Sequence, residues 1–271
     1  MGDSVRRGTQ INRECERSEA YNIKIRRRTE SGECGEAPGV MESNIENPHK
    51  IYEKAETYWS RCSQDEVGML GGTASLHSPD VSGSTNFLNA LKRNNIVTKF
   101  DNALDCGAGI GRVTKHVLMP FYKSVDLVDL VEELVATSAV YIGTDDGIGE
   151  KFIEGLQTFE PPRRKYDNIW IQWVSGQLTD QDLTSFLQRC IQGLAPNGVI
   201  VIKESISGGG KTLFHDTDGC WTRPECLLLK IAEDAGLKLV HKAVQIGFPK
   251  GLFAVKMIAL KPVHPVEEDS D

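Results

Sequence analysis

Between Asn102 and Arg112 an apolar run ends in an acid, three glycines alternate, and a helical pattern takes over at Val113. That is a strand, a tight turn and a helix start. Glycines at such a turn let the backbone come against a ligand, because no Cβ stands in the way. A second apolar run, Lys123-Ser-Val-Asp-Leu-Val-Asp129, ends in another acid, 18 residues past Gly111. In a doubly wound sheet Asp129 falls beside the first crossover, where a carboxylate takes both hydroxyls of a ribose. A dinucleotide site calls for a further glycine at position 112, to pack the helix over a pyrophosphate. This chain has Arg112 there, which suits a ligand carboxylate instead. A ligand that carries a ribose and a carboxylate but no phosphate is S-adenosylmethionine.

The elements that must position these residues follow from periodicity. Ile51, Tyr52, Ala55, Tyr58 and Trp59 recur at helical spacing between Lys50 and Cys62, and Val81–Leu91 is a further helix. Between them Val67-Gly-Met-Leu-Gly-Gly72 reads as a glycine-rich lid carrying two large apolar residues. After the glycine turn come helix 112–119, strand 123–129, helix 131–142 and a short strand at 150–153. Asp167–Val174 is almost wholly apolar, as a central strand buried on both faces should be. Helix 179–194 starts at Thr179, with Asp180 in its first turn. Strand 198–203, a loop with three glycines at 208–210, and helix 224–235 follow, the last stopped by Gly236. Strands 237–245 and 252–260 close the pattern. Five parallel strands completed by an antiparallel hairpin, with helices on both faces, match the α/β seven-stranded sheet of class I (Rossmann-like) methyltransferases. The expected organisation is a charged, disordered tail over 1–45, a helical extension and lid over 46–95, the cofactor domain over 96–262, and an acidic tail over 263–271.

Composition narrows the function classes. The 271 residues are 39% hydrophobic and 25% charged, enough for one sizeable α/β domain with extensions. No apolar run approaches the roughly 20 residues of a membrane span, so no membrane partner is expected. Residues 1–28 hold eight Lys/Arg against four acids, a charge of +4, which leaves −11 of the total −7 for the rest. An acidic body argues against a nucleic-acid groove and suits a basic peptide. Seven scattered cysteines with no Cys-x-x-Cys pair read as reduced thiols, without a metal site. Cys106 reads as a small buried filler. Lys24-Ile-Arg-Arg-Arg28 is either a nuclear address or a solvated basic tail, so cytoplasm and nucleus are both open. Met41, just before the folded pattern, is a candidate alternative start.

Four motifs together carry a resemblance: Asp105-Cys-Gly-Ala-Gly-Ile-Gly-Arg112, Ile169-Trp-Ile-Gln-Trp173, Gly176-Gln-Leu-Thr-Asp180 and Met69-Leu-Gly-Gly72. The chain resembles the eukaryotic alpha-N-terminal protein methyltransferases from about Tyr52 to Leu260, including Leu252-Phe-Ala-Val-Lys-Met257. Those enzymes methylate the free α-amine of X-Pro-Lys protein N-termini. The glycine turn is generic to methyltransferases, whereas the Trp-Ile-Gln-Trp strand and the Met-Leu-Gly-Gly lid are far more specific.

The resemblance implies roles position by position. Gly107, Gly109 and Arg112 would hold the methionine moiety, Arg112 by a charge-assisted pair. Asp129 with Leu130 would meet the ribose, Leu156 and Gln157 the adenine, and Gln172 would reach the cofactor from the end of its strand. Trp59, Leu70, Gly71 and Trp173 would line the channel for the substrate's first residues. Asp218, in Phe214-His-Asp-Thr-Asp-Gly219, falls where the family carries its proposed general base, with Asp216 as rival. Asp216 or Glu204 would receive the substrate's third-position lysine.

Two positions depart from the family pattern. Gln177 stands where many members have a histidine, and Ser205 where they have an asparagine near the amine. Both lie on the acceptor side, so methyl transfer is better specified than its acceptor. The alternatives are a lysine side-chain or small-molecule methyltransferase on the same fold and a non-catalytic cofactor-binding module, with a NAD-dependent oxidoreductase more distant. The protein is expected to act as a monomer.

Overall fold

A computed structural model of the chain describes residues 48–264. The basic run, Met41 and most of the acidic end lie outside the described residues. Among the described residues three α-helices stand ahead of the sheet: α1 (Pro48–Ser60), the single-turn α2 (Glu66–Met69) and α3 (His77–Arg93). Asp65 caps α2 by accepting the Gly68 N–H at 2.8 Å, which satisfies an otherwise orphaned donor of that turn.

The sheet has seven strands in the order β3-β2-β1-β4-β5-β9-β8. They are β1 (Asn102–Cys106), β2 (Ser124–Asp129), β3 (Ile148–Ile153), β4 (Tyr166–Gln172), β5 (Leu194–Ile206), β8 (Leu237–Val244) and β9 (Ala254–Pro262). The first five run parallel, and β9 joins β5 and β8 antiparallel. Between them run α4 (Glu132–Ile142), α5 (Asp180–Gly193) and α6 (Glu225–Asp234). Every residue of β4 is buried. Its alternate side chains feed two cores. Ile169 and Ile171 pack with Leu183, Phe186, Leu228 and Ile231 under α5 and α6. Trp170 packs with Phe87, Leu88, Leu91, Val113 and Val117 on the other face.

Two local features differ from the expectations. The helix behind the glycine turn is wound as a π-helix over Thr114–Leu118. The stretch between β5 and α6, which reads as loop in sequence, contains a small ribbon, β6 (Leu213–His215) paired with β7 (Cys220–Thr222). Three-residue strands are too short to leave a period in the sequence.

Candidate active site

Two clefts meet at the carboxyl ends of the parallel strands, where ligands of open α/β sheets bind. One, enclosing about 980 Å³ with its open mouth included, is walled by the glycine turn, Asp129–Leu134, Gly155–Gln157 and Gln172. The other, about 1420 Å³ measured the same way, is walled by the lid, the end of β5 and the β6–β7 ribbon. Trp59, Met69, Trp173 and Gln177 border both and form the neck between them.

The glycine turn is built for close approach. Gly107 and Gly109 hold φ of +67° and +55°, which favour glycine. A Cβ on Gly107 would meet Val174 at 2.7 Å, and one on Gly109 would meet Met69 Sδ at 2.6 Å. So the lid already rests on the turn.

Asp129 lines the first cleft, and its carboxylate also braces the turn, accepting Gly109 N–H at 2.8 Å and Val131 N–H at 2.9 Å. Burial raises its pKa, and these amides offset only part of the rise. Leu130, Leu156 and Gln157 stand on the same wall. Asp105 lies behind the turn, accepts Thr114 Oγ1 at 2.6 Å, and is pushed up to about 7 by burial.

Arg112 stands on the first cleft and also faces a carboxylate of the protein itself. It lines the cleft, but Nη1 stands 2.8 Å from Asp80 Oδ2, and the guanidinium lies 5.7 Å from the Trp173 ring centre. Asp80, wholly buried, also meets Lys203 Nζ at 2.6 Å. Burial works to raise the Asp80 pKa, yet Lys203 and Arg112 hold it below the ordinary carboxylate range. Lys203, itself 0% exposed, reaches the Asp80 carbonyl, Ser84 Oγ and Gln245 Oε1 as well. Gln172 lines the same cleft; its amide donates to both Asp80 oxygens at 3.0 and 3.1 Å and accepts Trp170 Nε1–H at 3.0 Å. Gln172 thus supports the cleft wall, its polar atoms already engaged. Sequence reading missed Asp80 and Lys203, since an acid in a helix and a lysine in a strand look like solvated charges.

On the acceptor side two buried oxygens are left open. Asp218 borders the second cleft, and its Oδ1 is buried without a hydrogen-bond partner. Burial raises its pKa, opposed by the neighbouring His215. Gln177 Oε1, at the neck, is likewise buried and unpartnered. Leu70, Gly71, Ser205 and Glu204 complete the walls with Trp59 and Trp173. Glu204 is held by Ser175 Oγ at 2.8 Å, and burial raises its pKa. Asp216, expected at the substrate, lines neither cleft; its side chain is 89% exposed and pairs with Lys54 at 2.6 Å.

Trp173 owes its place to a backbone in the left-handed region, φ 54°, unusual for a bulky residue. Directly after it, the turn carrying Gln177 is clamped by Arg223, which gives Nη1–H to the Ser175 carbonyl at 3.0 Å and Nη2–H to the Leu178 carbonyl at 2.5 Å. Arg223 also pairs with Asp180 at 2.6 Å. No spacing links Arg223 to position 177, so this brace is invisible in sequence.

A parallel sheet with a glycine turn after β1, an acid ending β2 and an antiparallel final strand defines the class I methyltransferase fold. Residues 47–261 match the family described as AdoMet dependent proline di-methyltransferase, and the chain belongs to that family. It is 58% identical over 222 residues to alpha N-terminal protein methyltransferase 1 of Caenorhabditis elegans, covering 82% of this chain and 95% of that protein. With N-terminal Xaa-Pro-Lys N-methyltransferase 1 of Xenopus tropicalis it shares 40% over 220 residues, 80% of this chain and 98% of the other. A solved SAM-dependent methyltransferase from Leishmania major superposes with a TM-score of 0.74 at 35% identity, over 79% of this chain and 85% of that one. The protein is an S-adenosylmethionine-dependent methyltransferase.

Proposed function

We propose that the enzyme methylates the free α-amino group of protein N-termini of the Xaa-Pro-Lys type, with Asp218 as general base. The observation that carries this reading is the pair of buried, unpartnered oxygens, Asp218 Oδ1 and Gln177 Oε1, beside the indoles of Trp59 and Trp173. An unsatisfied buried acceptor costs about 1–3 kcal/mol. Both atoms accept hydrogen bonds, so the group that relieves them brings N–H or O–H donors. Aromatic walls favour a cation. An ammonium meets both demands.

The first cleft fits S-adenosylmethionine. The bare glycine turn admits a ligand against the backbone, the Asp129 carboxylate stands on that wall, and Leu130 and Leu156 offer apolar contact. Gly107, Gly109, Arg112, Asp129, Leu130, Leu156, Gln157 and Gln172 would hold it. Bound there, the cofactor supplies a sulfonium methyl as electrophile.

The chain's own residues then have three tasks. Trp59, Trp173 and Gln177 orient the amine at the neck, and proximity of this kind is the largest resource for a reaction whose electrophile is already activated. The lid, through Met69 and Leu70, keeps water out. Asp218 takes the proton that the α-ammonium must lose before its nitrogen has a lone pair. An α-amine with a pKa near 7.7–8.0 needs only a modest base, and a carboxyl whose pKa burial has raised is better matched to it than an ordinary aspartate. Glu204, on the same cleft, is the acid within reach of a substrate side chain.

Mass spectrometry of an Xaa-Pro-Lys peptide, beside its Nα-acetylated twin, tests the reading. Methyl groups are expected on the free α-amine alone, and methylation of the acetylated twin on lysine would overturn it. Gln177 and Ser205, which replace a histidine and an asparagine of the family pattern, make that second outcome the one to look for. The reading includes a monomer acting in cytoplasm or nucleus, the location supported by the scattered cysteine spacing and the basic run at 24–28; light scattering and imaging of the tagged full chain check it.

A further inference from the structure

Outside both clefts, three segments distant in sequence bring metal-ligating atoms together. Glu66 opens the lid helix α2, His77 opens α3, and His116 lies in the π-helix behind the glycine turn. One ligand atom from each can be chosen so that all lie within 4.8 Å of one another. His77 Nδ1 is 3.3 Å from Glu66 Oε2, and His116 Nε2 is 3.6 Å from Glu66 Oε1. The imidazoles meet edge to face with centroids 4.8 Å apart. Around a tetrahedral zinc ion with bonds of about 2.0–2.1 Å, neighbouring ligand atoms stand about 3.3 Å apart. The two contacts to Glu66, one from each of its oxygens, are close to the spacing that an ion imposes, and the set as a whole needs to contract from within 4.8 Å.

Its hydrogen bonding also suits a cation. His77 Nδ1 is buried and makes no hydrogen bond. The Tyr141 hydroxyl donates to Glu66 Oε1. His116 Nε2 lies 3.0 Å from the Tyr141 oxygen. Because that hydroxyl spends its only hydrogen on Glu66, the proton of this contact belongs to His116 Nε2. An ion would shift the ring to the Nδ1–H tautomer and leave Tyr141 bracing Glu66 from outside, the usual arrangement of a metal ligand and its support.

We propose that Glu66, His77 Nδ1 and His116 Nε2 bind one divalent ion of the zinc class, with water in the fourth position. Two imidazoles and a carboxylate select zinc, or cobalt as its probe, over calcium or magnesium. The ion's role is to pin the lid. Met69, the last residue of α2, packs over the glycine turn, and Leu70 and Gly71 wall the acceptor cleft, so fixing Glu66 to His116 fixes the roof of the site. The chemistry of methyl transfer does not pass through it.

The test uses the full chain, stripped with chelator and titrated with cobalt(II) by visible absorption, then with zinc in competition. One equivalent is expected with the spectrum of nitrogen and oxygen ligands, without the charge-transfer bands of thiolates that would betray one of the cysteines. His77→Ala and His116→Ala should each weaken binding by about tenfold or more. Glu66→Gln, which retains an oxygen to receive Tyr141, should do the same in a chain whose fold is verified by circular dichroism. Zinc should slow amide hydrogen exchange over residues 66–72 in the wild type and not in the His77→Ala, His116→Ala double variant. Identical titrations of wild type and double variant, or zinc binding without any protection of 66–72, would overturn the proposal.

Discussion

The donor cleft and the acceptor cleft share a neck but treat their polar groups in opposite ways. In the donor cleft three polar side chains are engaged by the protein itself: Asp129 by two backbone amides, Arg112 by an ion pair with Asp80, Gln172 by Asp80 and Trp170. In the acceptor cleft Asp218 keeps a buried oxygen without a partner, and so does Gln177 at the neck where the clefts meet. The first wall is shaped before anything binds, which lowers the ordering cost of taking up a ligand. The second stores hydrogen-bonding capacity that only a donor-bearing substrate releases. Rigidity sits on the side that holds a constant cofactor, and unmet demand on the side that must choose among acceptors.

The contrast is tested most severely at Asp218. Asp218→Asn should lower kcat by about 10²–10⁴-fold, the usual worth of a general base, with cofactor affinity by calorimetry unchanged. Its effect on stability should have the opposite sign. A carboxyl whose folded pKa is raised by burial resists ionisation in the native state. Stability is therefore lost as pH climbs from the unfolded value through the raised one, and the penalty is complete above it. At neutral pH the asparagine variant should melt no lower than wild type. The wild-type rate should fall toward acid as Asp218 takes up its proton, at a higher pH than an ordinary aspartate would give. A clear loss of Tm in Asp218→Asn would mean that Asp218 is scaffold, and the contrast would collapse.

Arg112→Ala comes next. Losing a charged, buried partner costs about 1.5–3 kcal/mol, and the loss should appear both in Tm and in cofactor affinity, since Arg112 faces Asp80 and the cleft at once. Unchanged affinity with lowered Tm would reduce Arg112 to a brace. The two glycines sharpen the point further. Gly107→Ala and Gly109→Ala both force a left-handed backbone on a residue with Cβ, at about 1–2 kcal/mol. Gly107→Ala should weaken cofactor binding more, because its Cβ meets the branch point of Val174, whereas Gly109→Ala meets the flexible end of Met69. Smallest is Trp59→Leu, where a lost cation–π wall of about 0.5–2 kcal/mol corresponds to about a 2–30-fold rise in peptide KM.

Much of the donor side was legible because it is local. A glycine turn, the acid ending the next strand and the residues after β3 lie at short, fixed offsets, and period-two and period-3.6 patterns place them. The acceptor side was legible only through resemblance. Asp218 lies beside Asp216 in one short loop, and nothing in their order tells which is buried; a two-strand ribbon turns the first inward and leaves the second paired with Lys54 at the surface. Asp80 and Lys203 were missed for a related reason. A charge reads as exposed unless its partner is known, and their sequence separation leaves no pattern.

By itself the sequence determined the alternation of strands and helices, the glycine hinge with its acid across the crossover, and hence the ligand class, because each depends on steric and hydrogen-bonding rules that act over a few residues. Tertiary structure alone decided which carboxylates are buried, which cations are already committed, that Arg223 clamps the Gln177 turn, and that Glu66, His77 and His116 converge. Those outcomes depend on desolvation and pairing between segments far apart in the chain, and neither exists until the chain has folded.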